Sequence, residues 1–168
     1  MPSERFVEAL SEQVDREFGA AHQYTAFAAW YEQETLPRLA SFFYDQAGEE
    51  RGHAMKMMGY LRDIGAPLRL GGISGPKVDF ADHVEPIRLA LEQEKKVTVH
   101  IAGLFEIARE TNDYASESFM RWFIDEQVEE ESTMDALLTV AERVRDNPML
   151  LEDFLARDGT ELGGDEPV

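Results

Sequence analysis

The chain of 168 residues predicts an all-α fold: a four-helix bundle with one long crossover between its second and third helices and a short fifth helix. Three observations carry that prediction. Long segments repeat apolar residues at three- and four-residue spacing, and the period-two alternation of strands is absent. There are four such stripes, and each is broken near its middle by a carboxylate. A stretch of about 16 residues, punctuated by Gly and Pro, separates the second stripe from the third.

The first helix is expected from about Ser3 to Glu34, with the stripe Leu10, Val14, Glu17, Ala21, Tyr24, Ala28, Tyr31. Leu36-Pro37 breaks it, and Pro37 suits the first turn of a second helix ending near Ile64, before Gly65 and Pro67. Its stripe is Leu39, Phe43, Gln46, Glu50, His53, Met57, Tyr60. The segment APLRLGGISGPKVDF has no helical period and reads as a loop. Extended, about 16 residues reach ~50 Å, whereas a helix of about 28 residues is ~42 Å long. The loop therefore spans the bundle, which makes the second and third helices parallel.

The third helix starts near Asp82 as N-cap and runs to about Thr111, with the stripe Ile87, Ala90, Glu94, Val97, Ile101, Leu104. A connector at Asn112 and Asp113 leads into an antiparallel fourth helix, from about Tyr114 to Arg145, with Met120, Phe123, Gln127, Glu130, Met134, Leu137 on its seam. Asn147-Pro148 opens a short fifth helix, MLLEDFLAR. One domain thus covers 1–157, and 158–168 is expected to be a polar, flexible C-terminal segment.

Composition narrows the function. A net charge of −18 argues against nucleic acid or an anionic membrane as partner and suits a protein that attracts cations, although acidity also serves solubility. The absence of cysteine excludes disulfides, thiolate metal sites and thiol catalysis. No apolar run is long enough to span a bilayer and MPSERFVEALSEQ is no secretion signal, so a cytoplasmic location is expected.

If the four seams face one another, Glu17, Glu50, Glu94 and Glu130 converge inside the bundle. Buried carboxylates without partners are costly, so they must neutralise or take up cations. Glu50 and His53 lie three residues apart, hence on one helical face, and can place a carboxylate and an imidazole on one metal ion. Four carboxylates and two divalent ions sum to zero charge. Carboxylates bridging two ions with one or two His ligands suit iron or manganese better than zinc in a bundle core. The competing reading is a metal-free bundle with protonated or snorkelling glutamates.

The segments EFGAAHQY, FYDQAGEERGHAM, ALEQEKKVT and FMRWFIDEQVEEE resemble bacterial non-haem ferritin, with similarity over about residues 5 to 155. The resemblance implies a ferroxidase centre. Glu17, Glu50 and His53 would bind one iron, and Glu50 would bridge to a second held by Glu94 and Glu130, with Gln127 alongside. It also implies oxidation of Fe(II) by O2 or H2O2, storage of ferric mineral and a hollow homo-oligomer of 24 subunits. Glu49, Glu126 and Glu129, with Glu130 shared, match a third iron site in such ferritins; the alternative is a solvated acidic face. Tyr24 would sit beside the centre to hydrogen-bond a ligand or supply an electron. Trp122 is a similar candidate that also reads as aromatic core. His22, His83 and His100 fall off the seams and read as surface or intersubunit residues.

Departures from neighbouring families count as well. Bacterioferritins have a second E-x-x-H where this chain reads Gln127-Val128-Glu129-Glu130, and they bind haem through a methionine where this chain has Arg51, so no haem is expected. The cysteine-bound iron of rubrerythrins is unavailable. Two further readings stay open: a catalytic di-iron protein that consumes peroxide or activates O2 without storing mineral, and a metal-free helical interaction protein. Iron stoichiometry discriminates the first from storage, and tolerance of His53→Ala and Glu94→Ala the second.

Overall fold

The computed structural model describes residues 2–162. They form α1 (Glu4–Gln33), α2 (Pro37–Asp63), α3 (Glu85–Glu110), α4 (Tyr114–Arg143) and α5 (Pro148–Leu162), with no strand among them. Ser3 caps α1 by accepting from the Phe6 N–H, and Asp113 caps α4 by accepting from the Ser116 N–H. The start of α3 differs from expectation. Val84 is the N-cap, and Asp82 lies two residues earlier, where its Oδ1 accepts from the N–H groups of both Val84 and Glu85. An Asx-type turn so close to a helix start looks the same in sequence as an N-cap.

Three helix ends close the same way. Leu36, Ala66 and Asp113 donate their N–H groups to the carbonyls of Tyr31, Leu61 and Ala108, across a residue with positive φ: Thr35, Gly65 or Asn112. Gly65 accepts that conformation at no steric cost, whereas β-branched Thr35 is an uncommon occupant.

The crossover is traced by its own contacts along α1. Gly71 N–H donates to Asp15, Lys77 N–H donates to Gln23 Oε1, and Phe80 packs against Phe27 and Trp30 at ring separations of 5.3 and 5.5 Å. Tyr31 OH then donates to the His83 carbonyl just before α3, while Arg5 at the start of α1 pairs with Glu110 at the end of α3. The segment therefore climbs the length of α1, and α2 and α3 are parallel, as expected from its length.

Helix α5 continues to Leu162, five residues beyond the expected boundary of the domain; the remainder of the C-terminal segment lies outside the described residues. It closes one end of the bundle by burying Leu151 and Leu155 with Leu36, Leu39, Val84, Leu137 and Ala141. Its Glu152, 5 % exposed, accepts from the backbone N–H groups of Arg38 and Leu39. Those donors open α2, whose N-cap Leu36 makes no side-chain cap bond. A carboxylate here satisfies orphan donors and meets the positive helix end. Glu152→Ala is expected to cost about 1–2 kcal/mol, seen as a lower thermal midpoint of the apoprotein with metal binding intact.

Candidate metal centre

Two apolar cores fill the bundle. One gathers Tyr24, Phe27, Tyr31, Phe43, Ile87 and Met134; the other gathers Phe6, Leu10, Met57, Ile101, Met120 and Phe123. Between them lies a polar belt of Gln13, Glu17, Gln46, Glu50, His53, Glu94, Gln127 and Glu130, every member at most 5 % exposed. Each seam residue reaches the belt because three- and four-residue steps keep it on its helix's buried face. Two seam positions differ from expectation. Ala20, not Ala21, is the buried alanine, and Tyr60 is half-buried with its hydroxyl hydrogen-bonded to Ser116.

Within the belt, ligand atoms cluster as triads. One atom each from Glu17, Glu50 and His53 lies within 4.8 Å of the others, and the same holds for Glu50, Glu94 and Glu130. Glu50 therefore belongs to both. His53 Nδ1 stands 3.6 Å from Glu17 Oε2 and 3.7 Å from Glu50 Oε2, too far for hydrogen bonds and a suitable span for a cation held among all three. Glu17 Oε2 and both Glu50 carboxylate oxygens are buried with no hydrogen-bond partner. Such orphaned acceptors are what a bound cation would satisfy.

The other oxygens are held in place. Gln13 Nε2 donates to Glu17 Oε1 at 2.7 Å, and Tyr24 OH donates to Glu94 Oε1. Gln127 Nε2 donates to Glu94 Oε2 at 3.1 Å and also reaches the Glu94 carbonyl and Thr98 Oγ1. Gln13 escaped the sequence reading because a buried glutamine one turn before a glutamate carries no motif.

Crowding carboxylates in a buried belt has a predictable effect. Burial pushes Glu50 well above the usual carboxylate range against the opposing pull of His53, and it raises Glu94 despite the bonds from Tyr24 and Gln127. Glu130 is pushed up to about 9 by burial together with the charges of Glu94 and Glu49. Glu17 moves the other way: burial opposes ionisation, but His53 and its other bonds outweigh it and hold it low. His53 loses proton affinity to burial and regains more from Glu126, Glu17 and Glu50, so it is held protonated in the metal-free site. Burial drives Tyr24 well above its ordinary range, aided by the Glu94 charge.

A third triad unites His53, Glu126 and Glu130, with His53 Nε2 3.7 Å from Glu126 Oε1. Of the three expected outer carboxylates, only Glu126 joins it. Glu49 sits beside Glu130 but in no triad, and Glu129 is exposed on α4, also outside all three. Trp122 is not core: it is 41 % exposed, its ring edge-on to His53 with centroids 5.6 Å apart. His22 is exposed, as its place off the seams suggests. His83 and His100 are instead half-buried, with His83 Nε2 and His100 Nδ1 screened from solvent and unpaired.

With this geometry in hand, residues 7–144 match the Ferritin-like domain family. The chain is a member of the ferritin family. It is 42 % identical over 147 residues to a bacterial non-heme ferritin of Staphylococcus aureus strain USA300, covering 88 % of this chain and 89 % of that protein. Ferritin BfrB of Mycobacterium tuberculosis strain Erdman is 40 % identical over 157 residues, 94 % of this chain and 87 % of BfrB. Among solved structures, an open pore ferritin from Archaeoglobus fulgidus superposes with a TM-score of 0.89 at 28 % identity, covering 96 % of this chain and 98 % of that one. A humanized archaeal ferritin superposes equally well at 29 % identity, covering 96 % and 97 %.

For this ferritin the Gln127 position leads to a definite expectation. An amide that donates to Glu94 leaves the Glu50–Glu94–Glu130 triad one charge poorer than a glutamate would. Gln127→Glu is expected to slow metal release to a chelator by about tenfold, the lower end of what altered ligand shells do, and to lower the thermal midpoint of the apoprotein by adding a buried like charge. Stopped-flow release and a thermal melt read the two effects.

Proposed function

We propose that this ferritin stores iron: it binds Fe(II) as substrate at a dinuclear centre, oxidises it with O2 or H2O2, and passes Fe(III) into a hollow homo-oligomeric shell, by family expectation of 24 subunits. The observation that carries this reading is the pair of buried triads sharing Glu50, set where three carboxylate oxygens have no other partner. Glu17, Glu50 and His53 would hold one iron, and Glu50, Glu94 and Glu130 the other, with Gln127 closing the pocket. The donors are mostly hard oxygen, which favours Fe(III) over Fe(II) and so promotes electron loss.

The residues also manage protons. Burial raises the proton affinity of Glu50, Glu94 and Glu130, so Fe(II) entry competes with protons there. Two Fe(II) give up one electron each; O2 accepts the pair and, with two protons, leaves as hydrogen peroxide. With peroxide as oxidant, the same electrons and two protons yield two waters. Glu126 and exposed Glu49 lie beside His53 and Glu130 on the α2–α4 side, where negative charge draws cations in. Tyr24, hydrogen-bonded to Glu94, is placed to give an electron and return its proton to that carboxylate. No helix of the described residues is long and apolar enough to cross a membrane, in keeping with cytoplasmic storage.

Anaerobic calorimetry followed by oxygen uptake tests the proposal. Two Fe(II) per chain, the second held more weakly than the first, and one O2 consumed for about two Fe(II), are the expected results. Fe(II) binding that survives intact in a Glu17→Ala, Glu94→Ala double variant would contradict it.

A further inference from the structure

One contact beside the centre belongs to none of the triads. On α2, Lys56 follows His53 by one turn, and on α4, Trp122 precedes Glu126 by one turn. Lys56 Nζ stands 3.4 Å above the centroid of the Trp122 ring and 5.9 Å from that of Phe123. The indole also reaches the centre, since its ring is T-shaped to that of His53 at 5.6 Å between centroids and lies 4.8 Å from that of Phe123. His53 belongs to two triads, so Trp122 is one imidazole away from where iron would be oxidised. A redox-active indole in ring contact with a ligand imidazole is exposed to oxidation.

Peroxide chemistry makes that exposure concrete. Hydrogen peroxide takes two electrons and two protons to become two waters. A pair of Fe(II) supplies both electrons. When the weaker second position is unfilled, one Fe(II) supplies one electron, and the other must come from a nearby side chain. Two aromatic donors flank the centre, and their surroundings are opposite. Tyr24 is fully buried with its hydroxyl on Glu94, a base that takes the proton as the electron leaves. Trp122 has an ammonium over its π face, where a positive charge opposes removal of an electron from the ring.

We propose that Lys56 is a positioning residue that guards Trp122 against one-electron oxidation during iron turnover and so directs electron loss to Tyr24. Lys56 acts through the indole; its charge is also felt by Glu126, one turn along from Trp122, and the radical yield of the metal-free protein reads the indole separately from that carboxylate. The proposal rests on the ferroxidase reading, but its physical core, a harder-to-oxidise indole, does not.

Two experiments separate these layers. The chain holds two tryptophans, so Trp30→Phe leaves Trp122 as the reporting indole. In that background the metal-free protein is oxidised by photochemically generated azide radical, and the indole radical is followed by its absorbance. Lys56→Gln is expected to raise its yield by about two- to fivefold, the factor that an exposed cation–π contact corresponds to, and Lys56→Arg to leave it near the parent value. Equal yields in the parent and Lys56→Gln would overturn the proposal.

The second experiment uses the unaltered Trp30 chain, given one Fe(II) per subunit and H2O2, with oxidised Trp122 quantified by peptide mass spectrometry. Lys56→Gln is expected to accumulate several-fold more. If the radical yield shifts and Trp122 is oxidised no faster during iron turnover, the guarding role is overturned. If the parent protein oxidises no Fe(II), the ferroxidase reading fails and the guarding role fails with it, while the first experiment still reports the contact.

Discussion

Replacing Glu50 with alanine is expected to lower the initial rate of Fe(II) oxidation by on the order of 100-fold or more. Changes outside the first ligand shell cost about 10–100-fold in metal sites, and Glu50 is the one carboxylate common to both inner triads. On the proposed assignment its removal would take a ligand from each iron and the link between them. Stopped-flow absorbance at two Fe(II) per chain measures the effect, and an unchanged initial rate would sink the assignment. Stability is expected to respond in the opposite direction. Both Glu50 oxygens are buried without partners, and leaving such a group unsatisfied costs about 1–3 kcal/mol. Glu50→Gln keeps the volume and discards the charge, so the metal-free variant should melt at a higher temperature than the parent near pH 8 while remaining defective in oxidation. A site that weakens the apoprotein in order to bind its substrate predicts that trade.

The second large effect is a dependence of apoprotein stability on pH. The carboxyls of Glu50, Glu94 and Glu130 have folded pKa values above their unfolded ones, Glu130 reaching about 9. A carboxyl shifted upward stabilises the fold fully below its unfolded pKa and loses that contribution as pH rises through the folded value. Metal-free protein should therefore lose stability from about pH 5 toward pH 9, at up to ~1.4 kcal/mol per pH unit for each extra proton the folded state holds. Glu17 and Glu126, shifted downward, contribute in the reverse sense and lose their share only under more acid conditions. Saturating Zn(II), a redox-inert stand-in, replaces the protons. The gap between the metal-loaded and metal-free melting temperatures should widen as pH rises from 6 to 8. Glu130→Gln should flatten the metal-free slope, and an equal slope in parent and variant would mean that Glu130 carries no proton there.

Much of this centre is legible in the amino-acid sequence because helical periodicity is a strong constraint. Glu17, Glu50, Glu94 and Glu130 each interrupt an apolar stripe, and a stripe has only one side to bury, so their convergence follows from spacing once the four stripes face one another. The crossover is legible for a similar reason: a punctuated segment of its length spans the bundle or has no place in it. What was illegible depends on which neighbour a side chain finds. Gln13 and Glu152 are polar residues on faces that sequence leaves ambiguous, and only packing shows that one orients Glu17 and the other caps α2. Trp122 reads as core because aromatic residues usually are, yet the outer part of its helix face is open and Lys56 covers the ring. Glu126 and Glu129 are adjacent turns' worth of the same acidic run, and about 300° of helical rotation sends only Glu126 toward His53. Asp82 binds the first free N–H groups of α3 from outside the helix, a choice that residue identity leaves open.

Iron storage itself is tested most directly by titrating the apoprotein with Fe(II) in air and separating the product by size, with iron and protein counted across the peak. Iron far above two per chain, travelling with a particle of the mass of a 24-subunit shell, is the predicted result. Iron that stops near two per chain on a small oligomer would contradict storage and leave a dinuclear centre in search of another substrate.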